Sequence, residues 1–90
     1  MSEPTKPEIM AVNAKVRGVA KNPKIENAFT YHAPKPGQPE VYERIRAEAK
    51  ELAYIFEALC PDSRERSVAM THLETAVFWA NAAVARNSET

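Results

Sequence analysis

Few side chains in this chain have the type and spacing for covalent chemistry. Ser63 and Ser67 open an apolar-patterned segment with no histidine nearby in sequence to serve as base, and capping accounts for them. Cys60 ends an apolar stretch and reads as a small hydrophobe rather than a nucleophile. Thr71, His72 and Glu74 are close in sequence, yet at helical spacing Thr71 and His72 point different ways. Gly37 stands alone among prolines, so there is no glycine-rich phosphate loop. His32 and His72 match no metal spacing, and a single cysteine builds neither a disulfide nor a tetrahedral zinc site. The expectation is a protein with no catalytic residues, no metal and no cofactor.

Binding chemistry is better supported. The segment Phe29-Thr30-Tyr31-His32-Ala33-Pro34 joins two aromatic rings and an imidazole in a proline-stiffened loop. Aromatic faces stack on nucleobases, and truncating one costs about 1–3 kcal/mol. The competing role, pinning the preceding segment onto a helical body, suits Phe29 more than Tyr31. Further along, Arg46 and Lys50 lie four residues apart. On a helix two such cations repel by a few tenths of a kcal/mol. A solvated face is the ordinary explanation, but basic side chains beside an aromatic loop are also what an anionic ligand requires. Arg86 closes the last apolar segment, where it complements a helix dipole.

The elements that must position these groups follow from composition and period. Ninety residues make one small domain. Twelve basic residues balance twelve acidic ones, which argues against a general coat for DNA or RNA polymers. A hydrophobic fraction of 44% is that of a globular chain, and no apolar run reaches the length of a membrane span. Met1–Pro7 has no apolar core of a secretory signal, and the lone cysteine fits a reducing cytoplasm. Six of seven prolines and both glycines fall in the first 39 residues, and residues 1–38 carry a net +3 against −3 for the remainder. The pattern predicts an extended basic N-terminal arm followed by a helical body.

Within the body, Pro39 suits the first position of a helix, and Glu40 and Glu43 favour its positive end. Val41, Ile45, Ala49, Leu52, Phe56 and Leu59 recur every three or four residues, with Tyr42 beside them. Pro61 stops this helix. Asp62 with Glu65 reads as a capping box for a second helix ending near Arg86, with Asn87 beyond it. Leu73, Ala76, Val77, Ala80 and Val84 form its stripe, and the short loop between the helices requires antiparallel packing. Two helices bury little. From Ala76 to Ala85 only Asn81 is polar, so the second helix is apolar on every side. One partner helix covers one side, and the others call for further copies of the chain. The fold expected is all-α: an antiparallel two-helix hairpin assembling into a compact homo-oligomer of closed symmetry.

The run Ser63-Arg64-Glu65-Arg66-Ser67-Val68-Ala69-Met70-Thr71-His72-Leu73-Glu74-Thr75-Ala76-Val77-Phe78-Trp79-Ala80-Asn81-Ala82-Ala83-Val84-Ala85-Arg86 resembles the second helix of a family of small phage proteins. These are the anti-CBASS cyclic-oligonucleotide sponges, related through a hairpin domain to the anti-Thoeris sponges. Phe29 to Pro34, the Gly37-Gln38-Pro39 turn and Ile45-Arg46 are similar to the same family. Trp79 to Ala83 is the most specific part, and the resemblance spans residues 29–87, which sets the expected hairpin domain at 29–87, the N-terminal arm at 1–28 and a tail at 88–90.

The resemblance implies a phage anti-defence protein acting in the cytoplasm of the infected bacterium. It would bind cyclic dinucleotides, and in some members cyclic trinucleotides, without cleaving them, and so block CBASS signalling. It implies hexamers with dinucleotide pockets between paired protomers and a separate threefold site. On that pattern Tyr31 stacks a base, His32 and Pro34 shape the loop, and Arg46 with Lys50 holds phosphate. Arg86 is the candidate at the threefold site, while Trp79 and Asn81 belong to the assembly core. Two other readings compete. A small oligomeric adaptor would bind only protein. A phosphodiesterase would need closely spaced histidines or a metal-binding carboxylate cluster, and the sequence offers neither.

Overall fold

The computed structural model describes residues 3–87, so the expected tail at 88–90 lies outside the described residues. Four helices and no strands occur among them: α1 (Lys6–Arg17), α2 (Pro23–Phe29), α3 (Gln38–Leu59) and α4 (Arg64–Asn87). Contacts group the chain into two units, residues 1–30 and 31–90.

The first unit corrects the expectation of an extended arm, since α1 and α2 occupy most of it. The local chemistry explains both. The Thr5 side chain accepts from the Glu8 N–H, and the Glu8 carboxylate accepts from the Thr5 N–H, closing a capping box. Asn22 caps α2 by accepting from the Lys24 N–H at 2.9 Å. Pro7 and Pro23 therefore act as helix-opening residues, where a missing N–H costs nothing.

The second unit is the hairpin. Both of its ends are fastened, which fixes α3 and α4 as antiparallel. At one end the Gln38 side-chain amide donates to the Val84 carbonyl (3.3 Å). At the other, Arg66 donates to the carbonyls of Glu57 (3.3 Å) and Cys60 (3.1 Å) and pairs with Asp62 at 3.1 Å. Helix α4 opens one residue later than expected. Ser63, not Asp62, caps it by accepting from the Arg66 N–H at 3.1 Å, and this leaves Asp62 to hold the Arg66 guanidinium. Asn87 is still helical and donates to the Ala83 carbonyl.

The stripe of α3 that faces α4 is Tyr42, Ile45, Ala49, Ala53 and Phe56, all half-buried. Val41, Leu52 and Leu59, expected in that stripe, are exposed instead. Helix α4 answers with Met70, Leu73, Val77, Ala80 and Val84. Among the described residues no apolar side chain is fully buried, and the single buried residue is Gln38 at 3% exposure. A hairpin with this little core is marginal alone.

Gln38 carries more than its size suggests. Its side-chain oxygen accepts from the Lys35 N–H (2.9 Å), its own N–H donates to the Lys35 carbonyl (3.0 Å), and its amide reaches α4. Gln38→Ala should therefore lower the thermal midpoint, since it removes two part-buried side-chain hydrogen bonds worth about 0.5–1.5 kcal/mol each. A melt followed by circular dichroism, overlaying that of the wild type, would contradict this role.

Candidate functional site

The aromatic loop is built at one end of the hairpin. Helix α2 ends where Thr30 turns extended (φ −106°, ψ 142°). The chain then runs through Pro34 and Pro36 to Gly37, whose φ of 87° is open to glycine and strained for most other residues. That turn aims the chain into α3, and the Gln38 bonds clamp it against the last turns of α4. Tyr31 is 84% exposed, and its hydroxyl meets no hydrogen-bond partner among the described residues. His32 is half-buried and Pro34 exposed. Arg86, half-buried in the last turn of α4, lies two residues from the Val84 carbonyl that Gln38 engages. Loop and Arg86 thus share one end of the hairpin.

Arg46 and Lys50 lie further along α3. Arg46 is eight residues beyond Gln38, about 12 Å at the helical rise. The two cations rim a groove of about 230 Å³ between α3 and α4. Its floor is Ala49, Ala53, Leu73 and Val77, and Glu74 and Phe78 complete the wall. The groove exists because Ala49 and Ala53 stand where larger side chains would fill the seam. On the outer side the same two cations line a second groove of about 330 Å³ with Glu43 and Tyr54. Arg46 is oriented by Glu43, its guanidinium 2.7 Å from the carboxylate. Lys50 has no ion-pair partner among the described residues and points its charge at solvent.

The structure therefore brings Arg46 and Lys50 together, and places the loop with Arg86. It does not bring the loop to the cations within one chain: neither groove is lined by Tyr31, His32 or Pro34. Sequence reasoning missed Glu74 and Phe78 as neighbours of the cations. The signal was present, since they are four apart on α4 and adjacent to Leu73 and Val77. Phe78 and Trp79 are 66% and 64% exposed, large rings left open on α4. Asn81 is different: its side-chain oxygen is buried, and no donor reaches it among the described residues.

No group of three His, Cys, Asp or Glu side chains is placed to hold a metal among the described residues. Nor is any helix long and apolar enough to cross a membrane.

Compared with known proteins, the chain matches the family model of the Acb2/Tad1 hairpin domain over residues 21–85. No curated protein and no solved structure matches it. The match starts at residue 21, eight residues before the resemblance read from the sequence, and so takes in α2 as well as the loop and both hairpin helices. With nearly three-quarters of its length matched, the chain belongs to the Acb2/Tad1 hairpin domain family, the family of anti-CBASS and anti-Thoeris sponges.

Proposed function

We propose that this protein captures cyclic dinucleotides, and in a second site cyclic trinucleotides, and holds them without cleaving them. Acting in the cytoplasm of an infected bacterium, it would withdraw the messengers on which CBASS signalling depends. The observation that carries this reading is the pair Arg46 and Lys50, two cations at the rim of an apolar groove. An apolar floor suits a base or ribose, and guanidinium and ammonium suit phosphate.

The separation of Tyr31 from Arg46 is what a pocket between two copies explains. A cyclic dinucleotide has two bases and two phosphates related by an approximate twofold axis. A pocket on a twofold axis supplies Tyr31 and Arg46 to each half, from different copies, so neither chain needs to close the site alone. His32 and Pro34 shape the loop that presents Tyr31. Arg86, gathered at the loop end of the hairpin, is assigned to the trinucleotide site. The unanswered Asn81 oxygen and the open rings of Phe78 and Trp79 support association of several copies.

Arg46→Ala should weaken binding of a cyclic dinucleotide. A charge-assisted hydrogen bond is worth about 1.5–3 kcal/mol, so the expected loss is at least tenfold for each one removed. Lys50→Ala should act in the same direction. Titration calorimetry of both variants checks this. A small adaptor that binds only protein would show no cyclic-dinucleotide affinity for either substitution to reduce.

A further inference from the structure

The apolar stripe of α1 lies outside the matched domain, which starts at residue 21. Ile9, Val12 and Val16 recur at spacings of three and four, so they form one face, and all three are exposed. Lys6 and Arg17 border that face on one side, and Lys15 with Glu8 on the other. A helix of 12 residues is marginal in water even with a good cap, so α1 depends on burying this face against something.

A surface of the matching kind exists on the hairpin. Val41, Leu52, Ile55 and Leu59 are exposed and form an outer face along one flank of α3, next to its α4-facing stripe. Glu48 sits within this outer face and Glu51 at its edge. Arg44 occupies the Glu48 carboxylate on one side only, at 3.2 Å. The face from Val41 to Leu59 runs about 27 Å, and α1 about 18 Å, so one helix can lie along it. Charge is complementary on the larger scale too, with +3 over residues 1–38 and −3 over the remainder.

We infer that α1 docks its Ile9–Val12–Val16 face on the outer face of α3 in a second copy of the chain, with lysine and arginine flanks against Glu48 and Glu51. The two faces belong to separately compact units. Exchange between two copies buries both pairs at once and closes under twofold symmetry. The inference is independent of any ligand.

A photo-cross-linking experiment on the full chain tests this. A benzophenone side chain is placed at Val12 in isotopically heavy protein, which is then refolded with an equal amount of light protein. Tryptic digestion releases residues 51–64, which carry Leu52, Ile55 and Leu59 of the outer face, as one peptide. The expected result is a heavy probe joined to the light 51–64 peptide, with several-fold lower yield when Glu48→Lys is introduced. A probe at Met10, off the stripe, should not give this product. Joining to heavy 51–64 alone would mean docking within one chain and would overturn the inference. Products mapping outside the Val41–Leu59 face, an equal yield from Met10, or no product at all would overturn it as well.

Discussion

Tyr31→Ala is expected to cut the affinity for a cyclic dinucleotide by about thirtyfold or more while leaving the assembly unchanged. Each lost base stack is worth about 1–3 kcal/mol, and a twofold pocket loses two. Tyr31 projects into solvent at 84% exposure and supports no packing within its own chain that the substitution would disturb. Tyr31→Phe keeps the ring and should bind like wild type, because the hydroxyl has no partner among the described residues. The pair separates stacking from hydrogen bonding. Calorimetry on both variants, with light scattering as the control, measures it. Equal affinity of Tyr31→Ala and wild type would remove the loop from the pocket.

The second large effect is on assembly. Trp79→Glu should convert a multi-copy particle into single chains. Six copies of a 10.0 kDa chain would scatter as about 60 kDa, and the variant as one chain. The structure makes Trp79 the informative position. Ala80 lies on the α4 stripe that faces α3, so a large residue there would also pry the hairpin apart. Trp79 points away from α3, and a carboxylate there leaves the hairpin intact while opposing burial against another copy. Helical circular dichroism should be retained. A wild-type mass already near that of one chain at micromolar concentration would sink the assembly argument, and an unchanged mass in the variant would clear Trp79 from the interface.

Much of the hairpin is legible in the sequence. Pro39, Pro61 and the apolar repeats bound both helices to within a residue or two, because a proline-opened helix and a short loop leave little freedom. The facing stripe of α3 was less accessible. Val41, Leu52 and Leu59 share the three-and-four spacing of Tyr42, Ala53 and Cys60, and a helix apolar over more than one face offers period no way to choose between them. Packing chose the stripe with the small side chains Ala49 and Ala53, which lets α4 approach, and left the larger ones outside. Prolines in the N-terminal segment suggested extended chain, although Thr5-Lys6-Pro7-Glu8 already spells a capping box with proline in the first turn. As for the site, residue type pointed to Arg46 and Lys50 and to the aromatic loop. Their distance along α3, and the nearness of Glu74 and Phe78, depend on how the two helices meet, which neither segment encodes alone.

The central claim is capture without turnover, and one titration tests it most directly. Wild-type protein is titrated with cyclic GMP–AMP in a calorimeter, and the complex is then denatured by heat and the nucleotide recovered. The account predicts saturable binding, with about one dinucleotide per two chains as a twofold pocket requires, and recovery of the nucleotide chemically unaltered. Absence of binding to this and other cyclic dinucleotides, or recovery of linear or hydrolysed product, would contradict it.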